Sequence, residues 1–345
     1  LIVSVGGVTA RPTTDYVIIN SDTGLRFTSA PGDAMPIEVR QFAFSAARVT
    51  LSGINTISTV QGGTVLVTGH ANTITTNEGN VWMSGSTATV TNADGGNVYI
   101  TGNTSTVTNA DGGRIFVTGH TVSIGGTSAG TINITGKENT ITTANGVVNI
   151  SGGNGCTNTV ITANAKVVMT GTNTVTSAAG TVYASGINTV TTANGTVNIT
   201  GKEVTITTAN GVVNISGGNG CTNTVTTAND KVVMTGTNTV TTANGTVYAS
   251  GINTITTAAG TLNASGINTI TTAQGTTNAS GINTITTAEG TVNASGINTI
   301  TTAQGTVNTS GVSTVTTAQG VVNMSGVNTV TTASSRVSMS GINTI

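Results

Sequence analysis

The stretch GINTITTAEGTVNAS, residues 281–295, decides the fold because the chain repeats it with small changes every 15 residues. Its first glycine recurs along the last third of the chain, at Gly251, Gly266, Gly281, Gly296, Gly311, Gly326 and Gly341. A fixed period this short is the mark of a solenoid, in which each coil contacts only its neighbours and the stack forms a continuous core. The sequence therefore predicts a protein that presents surfaces rather than a pocket.

Apolar and polar residues alternate within each coil as they do in short strands. Val292 and Ala294 share one face, and Ile300 points away from its threonine neighbours. β-branched residues favour strands over helices. We therefore predict an all-β fold with essentially no helix: a parallel β-solenoid, flattened into a two-sheet β-roll with coils of 15–19 residues. Glycine and asparagine at the corners are expected to take tight turns, some with positive φ.

The chain divides by pattern into two parts. Residues 51–345 form the predicted repeat array of about nineteen coils, in which residues 131–195 recur as 196–260. Insertions at 152–156 and 217–221 are expected to be corner loops. Residues 1–50 hold all three prolines and predict short strands at 16–19, 25–27 and 37–40. This part is expected to be a small non-repetitive β cap or assembly domain, since solenoids need atypical ends.

The two cysteines occupy the same position in the two long copies. Cys156 and Cys221 are 65 residues apart, which places them about 19 Å apart at about 4.8 Å per coil. A disulfide needs Cα atoms within about 7 Å. They are therefore not expected to pair with each other, and are either buried free thiols or contacts between chains.

Composition excludes several classes of partner. Only 6% of residues are charged and the net charge is −1, so we predict neither nucleic-acid binding nor attraction to an anionic membrane. No apolar run is long enough for membrane insertion. The start at Leu1 without methionine is interpreted as a processed terminus, which predicts an extracellular or cell-surface location.

Catalytic and metal-binding patterns are missing. His70 and His120 each follow a Thr-Gly corner and are interpreted as solvated turn residues. Acidic residues beyond residue 51 are isolated, whereas glycosidase chemistry needs paired carboxylates. We therefore predict no enzyme activity, no cofactor and no metal site.

One outward column changes from aromatic to asparagine along the chain. The position of Asn293 in late coils is aromatic or aliphatic in early ones, and alternation places it outside. Exposed apolar patches usually mark contacts, and either residues 1–50 or another subunit is expected to cover this one. The predicted assembly surface consists of Leu66, Trp82, Tyr99, Phe116, Tyr183 and Tyr248.

A second outward column carries a Thr-x-Thr pair in almost every coil, as in Thr269 and Thr271. This pattern resembles the Thr-x-Thr β-solenoid antifreeze proteins of insects. Phrases such as residues 171–175, Gly-Thr-Asn-Thr-Val, resemble the ryegrass ice-binding β-roll. The resemblance implies a flat threonine array that orders water like ice; the alternative is a plain solvent-facing sheet. The implied face consists of Thr239, Thr241, Thr254, Thr256, Thr269, Thr271, Thr284, Thr286, Thr299 and Thr301.

Three functions are compatible with these patterns. After Lys231 only Glu289 and Arg336 are charged, and the sequence stops within a coil. An uncharged, uncapped edge favours head-to-tail pairing. The first prediction is a non-enzymatic extracellular structural protein whose partners are copies of itself, the subunit of a surface fibre, sheath or filament; here the chain resembles bacterial surface-fibre repeat proteins. The alternatives are an ice-binding (antifreeze) protein, with ice as its partner, and an adhesin stalk.

Overall fold

A computed structural model describes the chain at residues 2–19, 24–31, 35–40, 48–59, 63–76, 79–92, 96–109, 113–126, 130–152, 155–217 and 220–345. Every regular element in these ranges is a β-strand. The predicted all-β class, the parallel β-solenoid and the small N-terminal β-sheets are confirmed.

The strands lengthen along the chain because residues at the coil corners also pair with the next coil. β13 and β14 are therefore continuous through several coils each. The short ones are β1 (Ile2–Val5), β2 (Val8–Ala10), β3 (Tyr16–Ile19), β4 (Gly24–Phe27), β5 (Pro36–Arg40), β6 (Arg48–Ser52) and β7 (Ile54–Thr59). The long ones are β8 (Thr64–Thr76), β9 (Asn80–Asn92), β10 (Asn97–Asn109), β11 (Arg114–Gly126), β12 (Gly130–Ser151), β13 (Thr157–Ser216) and β14 (Thr222–Thr344). The gaps on either side of β13 coincide with the two insertions, of which residues 153–154 and 218–219 lie outside the described part of the chain.

The N-terminal strands convert the parallel ladder into an antiparallel one. β5 pairs parallel to β7, with Ile37 opposite Asn55. β1 pairs antiparallel to β5, and β2 antiparallel to β1. β3 and β4 form a separate antiparallel hairpin, which confirms the strand predicted at 16–19. β5 therefore has strands on both sides, and the short strand β2 lies at the end of the sheet, where a short edge strand limits open pairing.

The chain forms two compact units, Leu1–Ser177 and Ala178–Ile345. In the first, β8 to β12 stack in parallel, so that Val65 lies opposite Val81 and Val81 opposite Val98. In the second, β13 pairs with β14, with Val213 opposite Val232. Within β14 the step is 15 residues, as the hydrogen bond from Asn253 to Asn268 shows.

The core of each coil is a thin layer of β-branched residues and alanine. Val292, Ala294 and Ile300 are at most 6% exposed, while Thr299 and Thr301 are exposed. The predicted alternation is therefore confirmed in these coils. Burial of each Val or Ile contributes about 1.5–3 kcal/mol, and the stack adds this contribution coil by coil.

Glycine at the coil corner is required by both space and conformation. Gly281 has φ +107°, and a Cβ there would lie 2.1 Å from the Gly266 carbonyl oxygen. The corner asparagines, which the sequence predicted in similar turns, behave differently. Thr13 is the one non-glycine residue with positive φ among the described residues, so the prediction of positive φ is confirmed for the corner glycines and wrong for the asparagines.

The asparagines two residues after the corner glycines, such as Asn268 after Gly266, turn inward and form a buried ladder. Asn268 is 1% exposed, and its Nδ2 donates to Oδ1 of Asn283 at 2.7 Å. The same Nδ2 donates to the backbone oxygens of Gly266 and Ser280. Each amide thus closes its own corner and binds the next coil. Within the second unit the ladder consists of Asn223, Asn238, Asn253, Asn268, Asn283 and Asn298, each donating to the coil with higher residue numbers, and ends on Ser313.

A second asparagine ladder runs along the outer face of the other sheet. Asn293 Nδ2 donates to Asn278 Oδ1 at 2.8 Å, and Asn308 donates to Asn293 at 2.8 Å. Here each amide donates toward lower residue numbers, opposite to the buried ladder. These side chains are half-buried or exposed, so one face of each amide remains open to solvent.

Both cysteines are buried free thiols, 6% and 9% exposed for Cys156 and Cys221. They sit where an insertion rejoins the coil, and an added Cβ on Gly152 or Gly217 would overlap the neighbouring cysteine. Of the two interpretations made from sequence, the buried thiol is the one observed.

Candidate functional site

The first candidate surface is a stacked aromatic ladder in the first unit. Pairing places Leu66 opposite Trp82, Trp82 opposite Tyr99, and Tyr99 opposite Phe116. The Trp82 and Tyr99 ring centroids lie 5.1 Å apart with planes 5° from parallel, and those of Tyr99 and Phe116 lie 4.9 Å apart at 2°. Each ring lies one coil away from the next, so the stacking of parallel ring planes fixes the orientation of the rings along the column.

The aromatic ladder remains open to solvent. Trp82 is 38% exposed, and Tyr99 and Phe116 are half-buried. One predicted cover was residues 1–50 of the same chain. Among the described N-terminal strands, β1, β2 and β5 extend the sheet of β7 edge to edge. Cover by the rest of residues 1–50 and cover by another subunit both stay predictions.

Two predicted members of this surface lie elsewhere. Tyr183 and Tyr248 belong to the second unit and are 42% and 43% exposed. The Tyr248 ring has Lys231 Nζ 5.8 Å from its centroid. In their column they stand among asparagine and valine rather than other rings, so they do not join the three-ring stack.

The second candidate surface is the Thr-x-Thr face of the second unit. All of its predicted members are exposed: Thr239, Thr241, Thr254, Thr256, Thr269, Thr271, Thr284, Thr286, Thr299 and Thr301. The residues between them, such as Val240 and Ile270, are 1% exposed. Strict alternation therefore directs each hydroxyl and methyl pair outward from one sheet.

Two further columns, which the sequence analysis did not find, widen this face. An aliphatic column flanks the threonines at Ile252, Ile267, Ile282, Ile297, Val312 and Val327, each 48–56% exposed. An exposed alanine column flanks the other side. Counting the alternation back from buried Ile285 would have placed Ile282 outside.

The four columns make a neutral face of notable size. Six coils of Ile or Val, Thr, Thr and Ala measure about 20 Å by 24 Å, on the order of 500 Å². None of these column positions from 252 to 333 is charged. Apolar patches of this size on soluble proteins often mark contacts.

Titratable groups are sparse near both surfaces. His70 and His120 are exposed, in agreement with their assignment to solvated corners. Among the described residues no three His, Cys, Asp or Glu side chains come close enough to hold a metal ion. Nor does any helix suited to crossing a membrane occur in the described part of the chain.

Asp230 is the one described carboxyl with a clear shift of its pKa. It is 5% exposed, accepts a hydrogen bond from Thr208 Oγ1 on Oδ2, and has no partner for Oδ1. Burial raises its pKa above the ordinary value of 3.8, and a backbone hydrogen bond at Gly211 partly opposes this.

Replacing Asp230 by alanine is expected to remove a pH-dependent weakness of the fold. Because the folded pKa lies above the unfolded one, the free energy of unfolding is highest below about pH 4 and falls as pH rises through the folded pKa. Asp230→Ala should therefore raise the urea midpoint at neutral pH and leave it nearly unchanged in acid. Alanine suits the site because Ala165 occupies the same position in the other copy. A gain of the same size at both pH values would contradict this account.

No family model, no curated protein and no solved structure matches this chain.

Proposed function

We propose that this chain is a non-enzymatic, extracellular structural protein that assembles with copies of itself into a fibre, sheath or filament. The observation that supports it best is the aromatic ladder on a nearly neutral solenoid, in which Trp82 is exposed and Tyr99 and Phe116 are half-buried. Aromatic side chains dominate the energetics of protein interfaces.

Self-association suits this surface for two reasons. Stacked parallel rings present a regular ridge, and the same ridge on a second copy offers matching grooves at the same coil spacing of about 4.8 Å. The net charge of −1 gives no long-range repulsion between copies.

A second contact surface makes the assembly open-ended. One self-complementary patch gives a closed dimer, whereas two different patches on one chain link many copies. The aromatic ladder lies in the first unit, and the Thr-x-Thr face with its flanking aliphatic column lies in the second. Each patch therefore supplies one kind of joint.

Replacing Tyr99 by asparagine is expected to stop assembly. Asn133 occupies the same column, so the fold accepts asparagine there while the change removes the central ring of the stack. We expect filaments of the parent protein in negative-stain electron microscopy across a concentration series, and none for Tyr99→Asn at the same concentrations. Tyr183→Asn is the matched control, because it makes the same change outside the stack. Filaments of equal length from both variants, or only isolated rods from the parent protein, would refute the proposal.

The second candidate function is ice binding by the Thr-x-Thr face. It is favoured by the exposure of all ten threonines in two columns at a constant 15-residue step. A flat array of hydroxyl and methyl groups can hold water molecules in a fixed lattice, and the absence of charge in these columns leaves that lattice undisturbed.

Thr271→Tyr is expected to abolish ice-crystal shaping and thermal hysteresis if this second function holds. The ring would stand about one side-chain length above the centre of the face and separate it from a flat ice surface. Ser280→Tyr, an exposed change on the opposite sheet, should leave both readouts unchanged. The test is nanolitre osmometry of the three proteins. A parent protein without hysteresis, or equal loss in both variants, would exclude ice binding by this face.

A further inference from the structure

We propose that the second unit binds an extended, neutral polysaccharide along its outer asparagine ladder. This side of the unit holds an open trough of about 1170 Å³ that runs from Val233 to Ser340. The outer asparagines and a parallel column of serines line it, and buried alanines lie between the two columns. The trough is distinct from the aromatic ladder and from the Thr-x-Thr face.

The amides of the trough have unused hydrogen-bonding capacity. A primary amide has two N–H donors and two acceptor lone pairs. In the ladder, Asn293 donates one hydrogen bond to Asn278 and accepts one from Asn308. One donor and one lone pair per coil therefore remain for a ligand. The ladder bonds also fix the amide planes, so the free groups point outward at a constant spacing.

The exposed serines add hydroxyls to the same strip. Ser280 and Ser295 lie two residues after Asn278 and Asn293, and strand alternation places them on the same side. Each coil thus offers one amide and one hydroxyl about every 4.8 Å. A linear chain of pyranose rings presents hydroxyls and ring oxygens at a similarly short, regular spacing along its length.

An aromatic contact completes the match. Ala264, Ala279 and Ala294 lie between the asparagine and serine columns, but they belong to the core. Tyr248 stands 43% exposed at one end, where a terminal ring can stack on it. Binding sites commonly combine an aromatic contact with a few fixed polar groups in this way.

Charge selects a neutral ligand. No Asp, Glu, Lys, Arg or His is among the residues that line the trough. Lys231 lies beside the Tyr248 ring at one end, and Arg336 lies two residues before Ser338 at the other, so the nearby cations stand at the ends of the trough. A polyanion would lose hydration along the trough without gaining an ion pair, whereas neutral hydroxyl groups exchange water for amide and serine partners.

The neighbouring Thr-x-Thr side serves as an internal comparison. It carries its own trough of about 810 Å³, lined by threonine and alanine alone. No amide is available there, so the donor–acceptor strip described above is confined to the asparagine side.

Affinity gel electrophoresis of the full chain tests the proposal. Native gels contain glucomannan, mixed-linkage β-glucan or dextran as neutral polymers, and alginate as an anionic one. We expect at least one neutral polymer to retard the protein. The triple variant Asn278→Val, Asn293→Val, Asn308→Val should bind that polymer on the order of tenfold more weakly or worse, because it removes three hydrogen-bonding groups.

The controls separate binding from folding and from assembly. Valine is accepted in this column, since Val168 and Val233 occupy it, and circular dichroism of the variant verifies the fold. The triple variant Thr284→Val, Thr299→Val, Thr314→Val makes the same kind of change on the other sheet and should keep full retardation. No retardation by any neutral polymer, retardation by alginate alone, or equal loss in both variants would overturn the proposal. Loss of filaments in the asparagine variant without any retardation of the parent would show that copies of the chain occupy the trough instead.

Discussion

Replacement of Gly281 by alanine is expected to destabilise the solenoid by about 3–5 kcal/mol. Two causes act together. The backbone has φ +107°, a conformation that residues with a Cβ rarely adopt. The new Cβ would also lie 2.1 Å from the Gly266 carbonyl oxygen. Backbone atoms form that contact, so no side-chain rotation relieves it and the coils must separate locally.

The measurement is amide hydrogen exchange together with a denaturant midpoint. Long repeat arrays lose two-state behaviour, so a global midpoint alone would average the effect over many coils. Exchange should accelerate in the coils that contain Gly266 and Gly281 and stay slow elsewhere. Gly125→Ala is the control, because no atom lies within 4 Å of its added Cβ and its φ is not positive. If both variants exchange alike, steric closure of the corner is not what requires glycine.

Asn268→Ala is expected to cost about 2–5 kcal/mol. The change removes the bond accepted from Asn253 and the bonds donated to Asn283 and Ser280. It also leaves partners inside the coil without hydrogen bonds, and each unsatisfied buried group costs about 1–3 kcal/mol. The effect should extend to the coils on both sides, since the ladder links them.

Asn278→Ala is the matched control for this prediction. Asn278 makes a comparable amide bond, to Asn263 at 2.9 Å, but on the outer face where water can replace it. The expected loss is below about 1 kcal/mol. Both variants are compared by guanidinium midpoint and by exchange of the flanking amides. Equal losses of stability in the two variants would mean that burial of the Asn268 amide does not increase its contribution to stability.

The fold follows from the sequence because period and alternation act on every coil in the same way. The 15-residue step fixes which residues stack, and the alternation around Val292 fixes which side is buried. The breaks between strands at the two insertions follow from the interruption of that pattern. The N-terminal strands β1 and β2 were not predicted, since Ile2–Val5 is short and its pairing with β5 depends on a contact distant in sequence.

The misplaced asparagines have a physical explanation. A polar amide beside a corner glycine is ordinarily read as a turn residue. Asn268 can enter the core because the coils on either side carry an asparagine at the same position, so its amide finds both a donor and an acceptor. In the first unit Ala88, Ser105 and Val122 take this column, and the buried Ser105 hydroxyl lacks a partner there.

The candidate surfaces were only partly predictable. The outward aromatic column followed from alternation, but its division into a three-ring stack and two tyrosines outside that stack depends on which rings occupy successive coils. The aliphatic column beside the threonines was missed because Ile282 was not counted as part of the strand. Aliphatic side chains are usually buried. The exposed column that contains Ile282 departs from this rule, and that departure distinguishes the Thr-x-Thr face from an ordinary polar sheet surface.

The opposite donor directions of the two asparagine ladders have an electrical consequence. A row of aligned amides sums to a dipole, as the peptide groups of a helix do. In the second unit the buried row points toward higher residue numbers and the outer row toward lower ones. The dipoles of the two rows therefore oppose each other, and coils added to the stack do not add their amide dipoles in one direction. Such a protein can be lengthened by duplication of its repeats without polarising its ends.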